Sequence, residues 1–407
     1  MKGFLATAAA LLVLAPALQA QQGWETSSAD GFWKLALRPA VETTLWTGDE
    51  PAPGLLDLPD ATFFDPRLSL ALDATAGVYW YFHDTGRWDR GFDAGEKPDG
   101  EVRLDEVLLR FRPLGDQRLN LQIGKFPTVF GAWTGRHDFF DDPFLLPPLP
   151  YAQIIGVNVR NPAATSPPAI AARANGTAPR LSQLEKNNWG SLLWGPVYAS
   201  GAAVTGSGGR FDYAFELKNA GLSSHPDHWT PEGGDFGDPA LSGRLGFRPD
   251  AMWAFGLSAS RGPWLEEEAA RLLPDGTSPG DLPQSTLGLD LRWAHRDLIL
   301  SGELVAAEFE TVSSGDLRSL AWFLQARWKA APGFWLAARF GQAVFDDARG
   351  PAGAAVPWSP DIWRAEAAAG WHLSPHLLLK AGYSFTHSPG DDFAGEHLIG
   401  LGVGWRL

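Results

Sequence analysis

Residues 396–407, EHLIGLGVGWRL, place Ile399, Leu401, Val403, Trp405 and Leu407 on one side of an extended chain. The other side carries Gly400, Gly402, Gly404 and Arg406. A period of two makes this a strand, and a strand needs partners on both edges. The same device recurs over most of the chain, in segments of roughly ten residues paired through very short turns. On the other side of each pair lie longer loops that are acidic and rich in Pro and Gly, such as EGGDFGDP, SSGD and HSPGDDFAGE. Repetition of this kind predicts an all-β transmembrane antiparallel β-barrel, with apolar side chains toward lipid and the alternate ones toward water.

Composition narrows the alternatives. The first 20 residues, MKGFLATAAALLVLAPALQA, have one early Lys, an apolar run and small residues before Ala20, which is the pattern of a secretory signal peptide spanning 1–20. No later stretch reaches about 18 consecutive apolar residues, so a membrane form of 21–407 must cross as a barrel. With no Cys, the chain has neither a disulfide framework nor a thiolate metal site. The 19 Trp residues suit a girdle at an apolar–polar boundary. A net charge of −14 argues against nucleic acid as a partner.

Taken in order, a first strand spans 32–46, a second 67–73 returns through a turn at 74–77, and a third runs 78–88. Residues 101–126 form a hairpin with Val107, Leu109, Phe111, Leu121 and Ile123 on one face. A long interruption, 127–186, separates it from a regular series: 189–205 with 211–219, 241–247 with 252–261, 286–295 with 298–309, 318–329 with 334–345, and 362–371 with 377–385. The closing strand makes 16, with 14 or 18 as the neighbouring counts. An insertion as long as 127–186 is functional or mobile in a compact domain. Its aromatic first half makes it the candidate constriction, with Arg136, His137, Asp138, Asp141 and Asp142 where it leaves the barrel.

Alternation also sorts the charges. It places Arg110, Arg112, Lys218, Arg244, Arg248, Arg292, Arg327, Lys329, Arg339, Arg364, Lys380 and Arg406 on inward faces, with Asp212, Glu216, Asp290, Glu303 and Glu366. A net basic lumen draws small anions, and the same residues can instead pair across strands and hold the wall. The aspartates at 138, 141 and 142 are oxygen donors, and solvated turn residues are the simpler account of them. No nucleophile elbow, phosphate loop or zinc spacing occurs, so no catalytic, metal or cofactor site is expected.

The pair EVRLDEVLLRF and LNLQIGKFPTVFG resembles the phosphate-selective porin O/P family, in which an alternating strand precedes one ending in Gly, a polar residue, Phe and a Pro-containing bend. That resemblance implies a 16-stranded porin in the outer membrane of a Gram-negative type cell, commonly a homotrimer, conducting anions past Lys and Arg side chains. It also implies recognition of the last strand by the outer-membrane barrel assembly machinery, although Leu407 stands where the terminal Phe is usual. The functional expectation is a passive diffusion channel for small hydrophilic solutes or ions. The alternatives are a closed or plugged barrel serving as exporter or scaffold, and a soluble secreted β-rich binding protein.

Overall fold

The computed structural model describes residues 24–49, 61–89, 100–179, 181, 188–224, 236–388 and 394–407; the segment 1–20, expected to be a signal peptide, lies outside the described residues. Among the described residues, sixteen antiparallel strands follow one another around a closed ring. The first eight are β1 (Trp33–Gly48), β2 (Thr62–Ala76), β3 (Trp80–Asp89), β4 (Glu101–Phe111), β5 (Asn120–Phe126), β6 (Ala199–Gly208), β7 (Phe211–Lys218) and β8 (Ala240–Phe247). The rest are β9 (Trp253–Pro263), β10 (Pro283–His295), β11 (Leu298–Phe309), β12 (Leu317–Ala331), β13 (Phe334–Phe345), β14 (Ile362–Ser374), β15 (Leu377–His387) and β16 (Ala394–Arg406). Each pairs with its neighbours in sequence, and β16 closes on β1 with Trp405 opposite Val41 and Leu401 opposite Leu45. A short strand, Trp24–Ser27, continues that edge, and the Leu407 N–H donates to the Pro39 carbonyl at 3.2 Å between the two.

The outward faces explain the composition. Leu245, Leu257, Leu289 and Leu304 stand in register across four strands and are all exposed. Left in water they would each forfeit about 1.5–3 kcal/mol of burial, so this band belongs in lipid. At the short-turn end the outward positions are aromatic: Trp80 lies against Phe111 at 4.5 Å, Phe211 against Phe247 at 5.0 Å and Trp253 against Trp293 at 6.2 Å between ring centroids. This is the interfacial girdle that the Trp content calls for.

The largest boundary differences from the sequence reading fall in two strands, and β2 already begins at Thr62 rather than at 67. The second strand runs on to Ala76, because Ala74 and Ala76 stay paired with Leu35 and Trp33, and the turn falls at Gly77, whose φ of +58° favours glycine. The segment at 189–198 does not belong to the barrel strand that begins at Ala199. Trp189–Ser191 instead pairs with Ile154–Asn158 in a small ribbon of its own, so the long loop extends to residue 198. The apolar residues Leu193 and Trp194, which the sequence reading places in a barrel strand, are buried inside the loop. A core cluster containing Phe130, Leu149, Tyr151, Ile155, Trp194 and Val197 gives that loop an interior, joined by Trp264, Phe309 and Trp358 from the long-loop end of the barrel.

Candidate functional site

The loop folds into the barrel and packs where the wall has no side chains. On β16 a Cβ at Gly402 would meet Phe139 at 3.0 Å and Leu145 at 2.9 Å, and one at Gly404 would meet Phe139 at 2.5 Å and Phe140 at 3.1 Å. A Cβ at Gly341 on β13 would meet Leu149 at 3.3 Å, and one at Gly288 on β10 would meet Phe130 at 2.8 Å. Inward glycines thus trace the footprint of the loop.

Between 128 and 133 the chain crosses the strands without a β partner, and inward side chains take up its N–H groups instead. Glu216 of β7 accepts from the Thr128 hydroxyl at 2.5 Å and the Val129 N–H at 3.1 Å. Ser258 of β9 accepts from the Gly131 N–H at 3.1 Å. Glu303 of β11 accepts from Ala132 N–H at 2.9 Å, Trp133 N–H at 2.6 Å and the Tyr151 hydroxyl at 2.5 Å. A strap is thereby tied to alternate strands, and it ends in the turn Thr134–Arg136.

Beyond the strap the basic side chains assigned to the lumen fall into three settings. Lys380 donates to the Asp142 carbonyl at 2.5 Å and lies over the Phe139 ring. Arg339 donates to the Leu146 carbonyl at 2.6 Å while holding Glu366 at 2.5 and 2.7 Å. Arg364 reaches the Pro147 carbonyl at 3.5 Å, and Lys218 donates to the Phe126 carbonyl. These four point inward and are buried beneath the loop or at its root, acting as hooks on its backbone. In the second setting the wall is self-paired: Arg244 bridges Asp212 at 3.0 Å and Asp290 at 2.8 Å, Arg248 meets Asp212 at 3.1 Å, and Arg110 binds Gln122 at 2.7 and 3.0 Å. The third is open. Arg292 and Arg327 carry no ion pair among the described residues, and Lys329 stands exposed near the short-turn end of β12. Arg112 sits in the turn after β4, its N–H on the Tyr79 carbonyl at 2.7 Å, and Arg406 lies over the Phe140 ring.

Two cavities follow the strap. One of about 670 Å³ lies against β7–β10 and the other, of about 310 Å³, against β10–β12. Ala132, Arg136 and Arg292 line both, and Arg327, Asp141 and Glu303 line the smaller. The neighbouring loop residues are structural. Asp138 caps the turn by accepting from the Phe140 and Asp141 N–H groups, both at 2.7 Å, and Asp142 accepts from the Trp133 indole at 2.7 Å. His137 donates through Nδ1 to the Thr134 carbonyl at 2.5 Å and accepts from the Tyr198 hydroxyl, and burial pushes its pKa down. Burial and the nearby Asp138 push the Asp141 carboxyl up. Among the described residues no three His, Asp or Glu side chains are placed to hold a metal ion.

Apart from Arg110, the inward charges of the first four strands are absent from the sequence reading. There Arg67, Arg87 and Arg103 interlock with Glu42, Asp89, Glu101 and Asp105, for example Arg87 with Asp89 at 2.9 Å and with Asp105 at 3.0 Å. The outward Trp88 was the available signal, because it turns Arg87 and Asp89 inward. Asp105 is hidden by a bulge, since Thr85 pairs with Glu106 and Gly86 with Leu104. This quarter of the wall is paired, so the basic excess belongs to the β10–β12 side and the short-turn end.

Known structures share the architecture. A loop-L8 deletion variant of OmpT, an outer membrane protein of Vibrio cholerae, aligns with a TM-score of 0.57 at 9% identity over 92% of this chain and 100% of its own. The fold is that of an outer-membrane porin. An anion-selective porin from Comamonas acidovorans gives 0.56 at 11% identity over 92% and 100% of the two chains, and Salmonella typhi OmpF, in complex with daunomycin, gives 0.57 at 10% over 94% and 100%. Identities this low carry the barrel and its strand order, and they do not single out the phosphate-selective O/P porins. No family model and no curated sequence matches the chain.

Proposed function

We propose that this protein is an outer-membrane channel through which small hydrophilic solutes pass by diffusion along one side of the lumen, with a preference for anions. The observation that carries the reading is the placement of Arg136 and Arg292, one from the loop and one from β10, in the walls of both cavities. Guanidinium groups in a confined, low-dielectric passage attract anions, and binding shared with water stays weak enough for release. The loop occupies the β13–β16 side, so the path is narrower than a sixteen-stranded barrel would leave empty. Phosphate specificity forms no part of the proposal. Assembly through recognition of β16 by the outer-membrane barrel machinery, and association into trimers, belong to the same reading.

One observation favours a second reading, a plugged barrel. The loop core joins Trp264, Phe309 and Trp358 into one apolar mass at the long-loop end. Planar-bilayer recording of purified protein separates the two. A channel gives discrete conductance steps and a reversal potential under a salt gradient displaced toward that of the anion. Folded protein that passes no current removes the channel reading and leaves the plug.

A further inference from the structure

We propose that Glu303 is the positioning residue of this passage: its carboxylate fastens the strap at 128–136 to β11 and so sets the width through which solutes pass. The inference rests on the channel reading above. Three donors from the loop converge on this one side chain, two consecutive N–H groups and the Tyr151 hydroxyl, and the carboxylate is buried. Among the described residues it has no Arg or Lys ion pair, so all three of its hydrogen bonds come from the loop. The fit is close: Gly131 has a φ of +73°, and a Cβ there would strike the Tyr151 hydroxyl and Glu303 Oε2.

Its position makes the tie matter for the bore. Ala132 donates one of the two N–H contacts, and Ala132 and Arg136 line both cavities. Without the acceptor, the strap's side-chain ties to the barrel wall are those of Glu216 and Ser258, both nearer its root, and the stretch that carries Arg136 loses its anchor on β11. The facing acceptors cannot substitute. Asp290, opposite Glu303 on β10, and Asp212 are both held by Arg244, and Trp133 keeps its indole bond to Asp142 but loses its N–H partner.

The test is single-channel conductance with the exclusion limit for neutral polymers of graded size, on wild type, Glu303→Gln and Glu303→Asp. Glu303→Gln keeps the shape but turns one acceptor into a donor facing donors, and it should shift the exclusion limit to larger solutes and add sub-level switching. Glu303→Asp keeps the carboxylate and should restore the narrow limit. Glu308→Gln, on the outward face of the same strand, should behave as wild type. Tyr151→Phe removes one ligand and should give an intermediate shift, which serves if Glu303→Gln fails to fold. A wild type that conducts while Glu303→Gln and Tyr151→Phe share its limit overturns the strap alone. A folded wild type that does not conduct overturns the channel reading, and the strap's role with it.

Discussion

At the scale of single residues, the loop is held by groups whose ionisation state is fixed by geometry. His137 donates from Nδ1 to a carbonyl, and burial favours the neutral ring, whose Nε2 then accepts from the Tyr198 hydroxyl. In the unfolded chain that histidine protonates near pH 6.5, whereas in the fold its pKa is lower. The unfolded state therefore binds more protons as the pH falls, and the stability that neutral His137 supplies is present above about pH 6.5 and lost below it. Urea unfolding of the detergent-solubilised protein at a series of pH values checks this. His137→Asn should flatten part of the acid-side fall in midpoint, and a curve parallel to wild type would contradict it. Gly404 poses a steric constraint instead. Gly404→Val would favour the strand locally but press on Phe139 and Phe140, costing on the order of 1–3 kcal/mol of loop docking. Limited proteolysis should then cut within 127–198 while the barrel stays intact.

Among the elements, the loop behaves as a small domain set inside a barrel. Its buried tryptophans and leucines contribute by burial, and its backbone is fastened by charged hooks from the wall, a combination in which each carbonyl satisfied is also a cation matched. Trp194→Ala, at a side chain only 1% exposed, should cost about 3–5 kcal/mol in the loop core and should again show as loop cleavage. Arg339→Gln should act the same way, because its guanidinium ties Glu366 to the Leu146 carbonyl. It should loosen the loop, and any effect on ion preference would follow from that loosening.

For the whole molecule, the charge on the lumen wall is distributed unevenly. The β1–β4 quarter is interlocked by ion pairs, and the β10–β12 side presents Arg292 and Arg327 to open space. Arg292→Ser and Arg327→Ser together should move the reversal potential toward the cation value with little change in stability, since among the described residues neither arginine is ion-paired and Arg327 gives up one contact, with the Trp335 ring. An unmoved potential would mean that solutes take another route past the loop. This contrast between Arg327 and Arg339 could not be drawn from alternation, which sorts side chains to faces and says nothing of what lies over them.

Much of the fold was legible because each strand reports its own faces. The run from Ile399 to Leu407, the hairpin at 101–126 and the paired segments from 286 to 385 carry period two locally, and membrane physics allows such strands only as a closed ring. The glycine face of β16 was legible as a face without side chains. Its purpose was not, since Phe139 and Leu145 lie more than two hundred residues away in sequence. For the same reason Leu193 and Trp194 read as strand until their partners in the loop were in view, and Glu303 read as one inward acid among several. The sequence by itself determined the ring and its lipid-facing band, because these depend on contacts between neighbouring strands. Only the tertiary structure decided which inward charges hold the loop and which border the passage, because those contacts join segments whose spacing leaves no periodic trace.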